Sequence, residues 1–219
     1  MSNLKLKKRK LNSETTVSIP TYKSYDINDS KESCQNKNYG TASRFKSLSI
    51  DDIKLPCVGY KEVEISFKEH GKFIGRGSYG EVYEGLYQNQ PAVAKFSGYD
   101  SIDDQKYLLN EIKCLNLFEH ANVIKIYAYA HKAHDIRYGD FILVLEHGGT
   151  TLKKLAKDNL LKSDQIIDIS IQLFNGLDHI HNFGKDKLIH RDIKPANIFV
   201  RANDNKFKVK IGDLGQIRT

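Results

Sequence analysis

His190-Arg191-Asp192-Ile193-Lys194-Pro195-Ala196-Asn197 lies between two short apolar pieces, Leu188-Ile189 and Ile198–Val200, and is the most specific stretch of the chain. A carboxylate, an ammonium and an amide oxygen follow one another in a single loop, with Asn197 five residues beyond Asp192. Such a carboxylate can orient a hydroxyl nucleophile. The ammonium can offset charge on a moving phosphoryl group, and the amide oxygen can ligate Mg²⁺. An ordinary charged surface loop also contains Asp and Lys, so the reading depends on which other elements accompany this one, and in what order.

Downstream, Phe207–Ile211 reads as a strand and runs into Gly212-Asp213-Leu214-Gly215. An aspartate in a glycine turn is ordinarily turn chemistry. After Asp192 and Asn197, Asp213 becomes the expected second metal ligand. Upstream, a short helix is predicted over Leu152–Lys157 and a longer one over Ser163–His181. The longer one carries Ile166, Ile167, Ile169, Ile171, Leu173, Phe174, Leu177 and Ile180. A helix apolar on nearly every side expects protein all around it.

Further upstream, Gly75-Arg76-Gly77-Ser78-Tyr79-Gly80-Glu81-Val82 sits between two predicted strands, whereas a dinucleotide-binding glycine motif opens a helix after one strand. Glycines here let backbone N–H groups approach phosphates without Cβ obstruction. A third strand, Ala92–Phe96, contains Lys95. A lysine in an apolar strand is usually an edge residue reaching for water. Glu111 argues otherwise. A helix starting at Ser101, capped with the help of Asp104, runs to about Glu119 with Leu108, Ile112 and Leu115 inward. Glu111 falls on that inward face, where a carboxylate needs a partner. A Lys95–Glu111 pair beside the glycine flap would grip the inner phosphates of a nucleotide. Strands over Val123–Ala130 and Phe141–Leu145 complete the order three strands, helix, two strands.

With these motifs in this order, Lys72–Thr219 resembles the eukaryotic-type protein kinase superfamily. The resemblance implies an α+β fold: a small lobe of antiparallel sheet plus one helix, then an incomplete, mainly helical large lobe. The corresponding division is a mostly disordered, basic and polar extension over 1–66, a small lobe over 67–147, and a partial large lobe over 148–219. The last of these holds two helices, the catalytic loop and the metal-binding turn. Lys194-Pro195 resembles the serine/threonine class, which implies transfer of the ATP γ-phosphoryl group to a protein Ser or Thr hydroxyl. Asp192 and Lys194 take the catalytic positions. Ile74, Gly75, Arg76, Gly77, Ser78, Tyr79, Gly80, Val82, Lys95 and Glu111 take ATP-binding positions, with Glu146 and Gly148 at the hinge. Asn197 and Asp213 take the Mg²⁺ positions. Leu115, Ile126, His190 and Leu214 match the hydrophobic column of active members.

The chain departs from the family pattern at three points. Leu214 replaces Phe, Val93 stands where Ala is usual, and the activation segment, closing motif and later helices would lie past Thr219. The resemblance therefore implies a fragment of a longer enzyme, or one needing a partner to supply the rest of the large-lobe surface. The alternative is a catalytically inactive ATP-binding or scaffold module.

Composition sets the outer limits. The 219 residues, 40% hydrophobic and 28% charged, suffice for one core plus a tail. No apolar run approaches the ~20 residues of a membrane span, and the N-terminus lacks a secretory signal. Three cysteines (Cys34, Cys57, Cys114) without a C-x-x-C pair imply neither a disulfide framework nor a zinc site. An intracellular, cytoplasmic location is expected. Nuclear entry would run through the basic cluster Lys5–Lys10, which also reads as a solvated tail. The net charge of +7 would suit a nucleic-acid binder, but that reading explains none of the ordered motifs. Residues 1–45 are too polar to bury a core. Lys61–Phe67 alternates at Val63, Ile65 and Phe67, which predicts a strand.

Overall fold

The protein is described by a computed structural model over residues 55–77, 80–134, 139–158, 161–184, 187–203 and 206–218. The basic cluster Lys5–Lys10 and the polar stretch 1–45 lie outside the described residues, as do Ser78 and Tyr79. Among the described residues no helix is long and apolar enough to cross a membrane.

The stretch predicted as a strand at Lys61–Phe67 is helical instead: α1 (Tyr60–Glu64) continues into a π-helical turn, Ile65–Glu69. Val63 and Phe67 are four residues apart and both buried, while Ile65 between them is exposed. The apolar set is therefore an i, i+4 pair on one helical face, which a short period-two window cannot distinguish from alternation. Val58 and Tyr129 tie the segment in through backbone bonds, Val58 N–H to Tyr129 O at 2.9 Å and Tyr129 N–H to Pro56 O at 3.1 Å. The expected boundary at residue 67 thus falls inside this helical stretch. Cys57 is disulfide-bonded, against the expectation of no bridge, while Cys114 is a buried free thiol. An odd count leaves one thiol over; it does not exclude a pair.

Five strands follow: β1 (Lys72–Gly77), β2 (Gly80–Tyr87), β3 (Gln90–Tyr99), β4 (Ile126–Ala133) and β5 (Gly139–Glu146). They form one antiparallel sheet in the order β1-β2-β3-β5-β4. Between β3 and β4 runs α2 (Ile102–Leu117), whose N-cap Ser101 accepts the Asp104 N–H at 3.1 Å. The sheet is covered on both sides because its strands are apolar on both faces. One set, Ala92, Ala94, Phe96, Ala128, Ala130, Ile142 and Val144, packs with Val63 and Phe67. The other, Ile126, Tyr129, Phe141 and Leu143, packs with Leu108, Ile112 and Leu115 of α2.

Beyond the sheet come β6 (Thr150–Thr151), α3 (Leu152–Lys157), α4 (Ser163–His181), β7 (Ile198–Asn203) and β8 (Lys206–Ile211), with β6-β7-β8 as a second antiparallel sheet. Both helices have the predicted bounds. Gln172 of α4 accepts Val209 N–H at 3.0 Å and donates to Phe207 O at 2.9 Å, fastening the helix to β8. The segment leading into β4 joins the end of β8 through Ile124 N–H to Ile211 O at 2.9 Å and Ile211 N–H to Asn122 O at 2.8 Å. The Gly212–Gly215 turn follows directly after that junction and is hydrogen-bonded to α2. The apolar helix α4 is covered on one side only: Ile169 and Ile180 are buried, whereas Ile166, Ile167, Ile171 and Phe174 are exposed.

Candidate functional site

Antiparallel register sets the upper wall. Val82 pairs with Lys95 across β2 and β3, and Lys95 with Leu143 across β3 and β5. Cross-strand partners point to the same face, so Lys95 leaves the sheet on the α2 side. There its Nζ lies 2.8 Å from both Oε1 and Oε2 of Glu111. Glu111 is 2% exposed and the lysine side chain 16%. Leu108, Ile112 and Leu115 hold that face of α2 in the core, and this fixes the carboxylate among them. The pair is bidentate and largely desolvated, so losing either partner strands the other charge.

The glycine hairpin closes with Gly77 opposite Gly80. Gly80 sits at φ 130°, and a Cβ there would lie 1.7 Å from Phe96 O. No other residue fits that position. A Cβ on Gly75 or Gly77 would meet nothing within 4 Å, so the hairpin is open where a phosphate chain would approach. Arg76 is ion-paired with Glu81 across the same hairpin. Ile74 is exposed on β1.

At the hinge, the carboxylate of Glu146 has a structural task. Its Oε2 accepts Lys125 N–H at 3.0 Å and Lys210 Nζ at 2.8 Å, while its own N–H donates to Lys125 O at 2.9 Å. Gly148 is buried and packed against Phe199 and Ile124.

The lower wall is the predicted loop. Asp192 Oδ2 accepts from Lys194 Nζ at 2.7 Å and from Asn197 Nδ2 at 2.9 Å, and Asn197 Nδ2 also reaches Asp192 O at 3.0 Å. The Lys194 ammonium, with help from the Asn197 amide, holds the Asp192 carboxyl below its ordinary range, so it is a carboxylate at neutral pH. Asn197 commits its donor end to this contact, and a cation would be met by its oxygen. Gly212 N–H donates to Asn197 O at 2.9 Å, and His190 Nε2 lies 3.2 Å from Gly212 O. Burial lowers the His190 pKa, leaving the ring neutral. Arg191 (φ 67°) and Asp213 (φ 59°) both take the left-handed backbone region. For non-glycine residues that conformation persists only where surrounding contacts enforce it. Leu115, Ile126, His190 and Leu214 are all buried, at 4%, 3%, 1% and 0% exposure.

The structure thus joins Lys95 to Glu111 on α2, ties Asp192 to Lys194 and Asn197, and links Asn197 through Gly212 to the Asp213 turn, which itself contacts α2. Among the described residues no cluster of three or more His, Cys, Asp or Glu could hold a metal alone. One amide oxygen and one carboxylate are nonetheless a suitable set for Mg²⁺, which keeps waters and takes phosphate oxygens as further ligands. Two residues escaped the sequence reading. Tyr107 OH donates to Asp213 Oδ1 at 2.9 Å, and Asn110 Nδ2 donates to Gly215 O at 3.1 Å. Their positions, four and one before Glu111 on the same helix, were the available signal.

A sequence profile described as "Protein kinase domain" matches residues 68–219. Among curated proteins, the chain is 33% identical over 145 residues to a probable serine/threonine-protein kinase, mkcF, of Dictyostelium discoideum, covering 65% of this chain and 20% of that protein. It is 32% identical over 163 residues to mitogen-activated protein kinase 4a of Physcomitrium patens, covering 72% and 42% respectively. It is 25% identical over 177 residues to calcium/calmodulin-regulated receptor-like kinase 2 of Arabidopsis thaliana, covering 78% and 38%. The chain therefore spans between 20% and 42% of the length of these relatives.

Proposed function

The chain belongs to the protein kinase domain family, and from that premise we propose that it forms the ATP- and metal-binding part of a serine/threonine protein kinase. The observation that carries the proposal is the Asp192–Lys194–Asn197 cluster. It is joined through Gly212 to the Asp213 turn, and that turn is hydrogen-bonded to α2, the helix whose Glu111 holds Lys95 by two contacts. ATP would lie under the glycine hairpin, with its base against Ile74, Val82 and the Glu146–Gly148 hinge and its inner phosphates on Lys95. Mg²⁺, held by Asn197 and Asp213, would draw charge from the phosphate oxygens.

Asp192 accepts the hydrogen bond of a substrate Ser or Thr hydroxyl and aligns its oxygen on the γ-phosphorus. The new P–O bond forms as the bond to the leaving ADP oxygen breaks, and the hydroxyl proton passes to the Asp192 carboxylate. Lys194, 2.7 Å from Asp192, offsets charge on the transferring group. The cleft between the two sheets, crossed at residues 147–148, is read as the boundary between small and large lobes.

The test is transfer of labelled γ-phosphate from ATP to a Ser/Thr-containing acceptor protein, with the unaltered protein and with Asp192→Asn. Transfer by the first and at least a hundredfold less by the second, with equal nucleotide affinity, is the expected result. Nucleotide binding without transfer by either would establish the non-catalytic module instead.

A further inference from the structure

Helix α2 touches the Gly212–Gly215 turn through three contacts that the Lys95–Glu111 pair does not account for. Tyr107 OH donates to Asp213 Oδ1 at 2.9 Å. Asn110 Nδ2 donates to Gly215 O at 3.1 Å, an oxygen that Arg218 Nη1 also approaches at 3.4 Å. The Tyr107 ring lies on Gly215 so closely that a Cβ there would stand 2.3 Å from Tyr107 Cζ. Gly215 is not among the positive-φ glycines, so its lack of a side chain answers to the Tyr107 ring and not to backbone conformation.

We propose that Tyr107 is a positioning residue for the metal site. Tyr107 holds the Asp213 carboxylate, and Asn110 the Gly215 carbonyl two residues on, to the helix that also carries Glu111. The inference rests on Asp213 being a metal ligand, as read above. Residues 107, 110 and 111 lie on adjoining positions of one helical stripe. One rigid element therefore sets both the lysine that meets the phosphates and the carboxylate that meets the cation.

The chemistry suits this task. A carboxylate on a left-handed backbone, at φ 59° and ψ 66°, has no regular element to fix its torsions. A phenol fixes one oxygen by a charge-assisted bond and leaves the other oxygen to ligate. Being neutral, it adds no positive charge to compete with the cation. Hydrogen-bond partners that orient a ligand raise metal affinity because the ligand is already in place when the ion arrives.

The experiment uses the full chain with Tyr107→Phe and Asn110→Ala, titrating a fluorescent ATP analogue at increasing Mg²⁺ and without Mg²⁺. Tyr107→Phe keeps the ring against Gly215 and removes only the donor. The expected result is a roughly tenfold rise in half-saturating Mg²⁺ for nucleotide binding, with the Mg²⁺-free affinity unchanged. Asn110→Ala should shift the Mg²⁺ requirement in the same direction and speed amide exchange over 214–217. An unchanged or lowered Mg²⁺ requirement in Tyr107→Phe overturns the proposal, the lowered case meaning that the phenol competes with the ion. Equal loss of Mg²⁺-free affinity also overturns it, because Tyr107 would then be a general support. If the unaltered chain shows no Mg²⁺-dependent nucleotide binding, the metal-site reading itself falls and this one with it. Failure confined to the variants sinks only the clamp.

Discussion

Lys95, Glu111, Asp192, Lys194, Asn197 and Asp213 were all nameable from the sequence, because each is a charged or amide group in a place where chemistry is the economical explanation. Their partners were not all visible. The Glu146 carboxylate is occupied by Lys210 and the Lys125 amide, a contact joining residues 64 apart that no local pattern announces. Titration at single residues gives a direct check. Burial lowers the His131 pKa, with its ring stacked 4.3 Å from Phe141, and Asp140 only partly opposes this. The unfolded chain takes up that proton near pH 6.5 and the folded one only at lower pH. The contribution of His131 to stability is therefore complete above about pH 7 and declines as pH falls below about 6.5. Denaturant melts at pH 7.5 and 5.5 should show lower stability at 5.5, and His131→Phe should shrink the difference. Burial also pushes the Cys114 thiol up to about 12, so it should resist alkylation until the chain unfolds.

At the scale of elements, α2 shows how a helix becomes part of a site. Its inward face is apolar except for Glu111, and Ile112 is fully buried beside it. Ile112→Ala should cost about 2–5 kcal/mol in denaturant unfolding, with a matching loss of nucleotide affinity as Glu111 loses its support. Ser101→Ala, which removes the cap on Asp104 N–H, should cost only about 1 kcal/mol and leave nucleotide binding intact. If the two substitutions cost the same, burial is not what fixes the helix. The α1 segment is the element the sequence misrepresented. Val63 and Phe67 fit either period over seven residues, and only the Gly85–Tyr127 side of the sheet, waiting to be covered, made the helical choice the one that buries both.

At the scale of the whole molecule, α4 is the outlier. Its composition predicted protein on nearly every side, and the structure covers one side while Ile167, Ile171 and Phe174 stay exposed at 61%, 55% and 66%. Those three share one face at i, i+4 and i+7. Contiguous apolar surface of this kind drives association. The 219-residue chain should therefore self-associate with concentration and bind a hydrophobic dye. Replacing the three by Gln should suppress both in light scattering and fluorescence without lowering the melting temperature. Scattering that is unchanged by the triple substitution would place the association elsewhere.

Read alone, the sequence yields the order of the main strands and helices from Lys72 onward and six candidate polar residues, Lys95, Glu111, Asp192, Lys194, Asn197 and Asp213, though not Tyr107 or Asn110. That order and those six depend on local spacing: glycines where a backbone must come close, a lysine in a strand, a carboxylate on a helix's inner face, and an Asp–Lys–Asn loop. The tertiary structure decided the rest. Residues 60–69 became a helix because a sheet face needed covering, and α4 kept an open apolar side because nothing in the described residues reaches it. Tyr107 and Asn110 joined the site because two segments more than a hundred residues apart in sequence are packed together. Hydrogen bonds across such separations depend on where the whole core places the two segments, and no window along the chain contains that information.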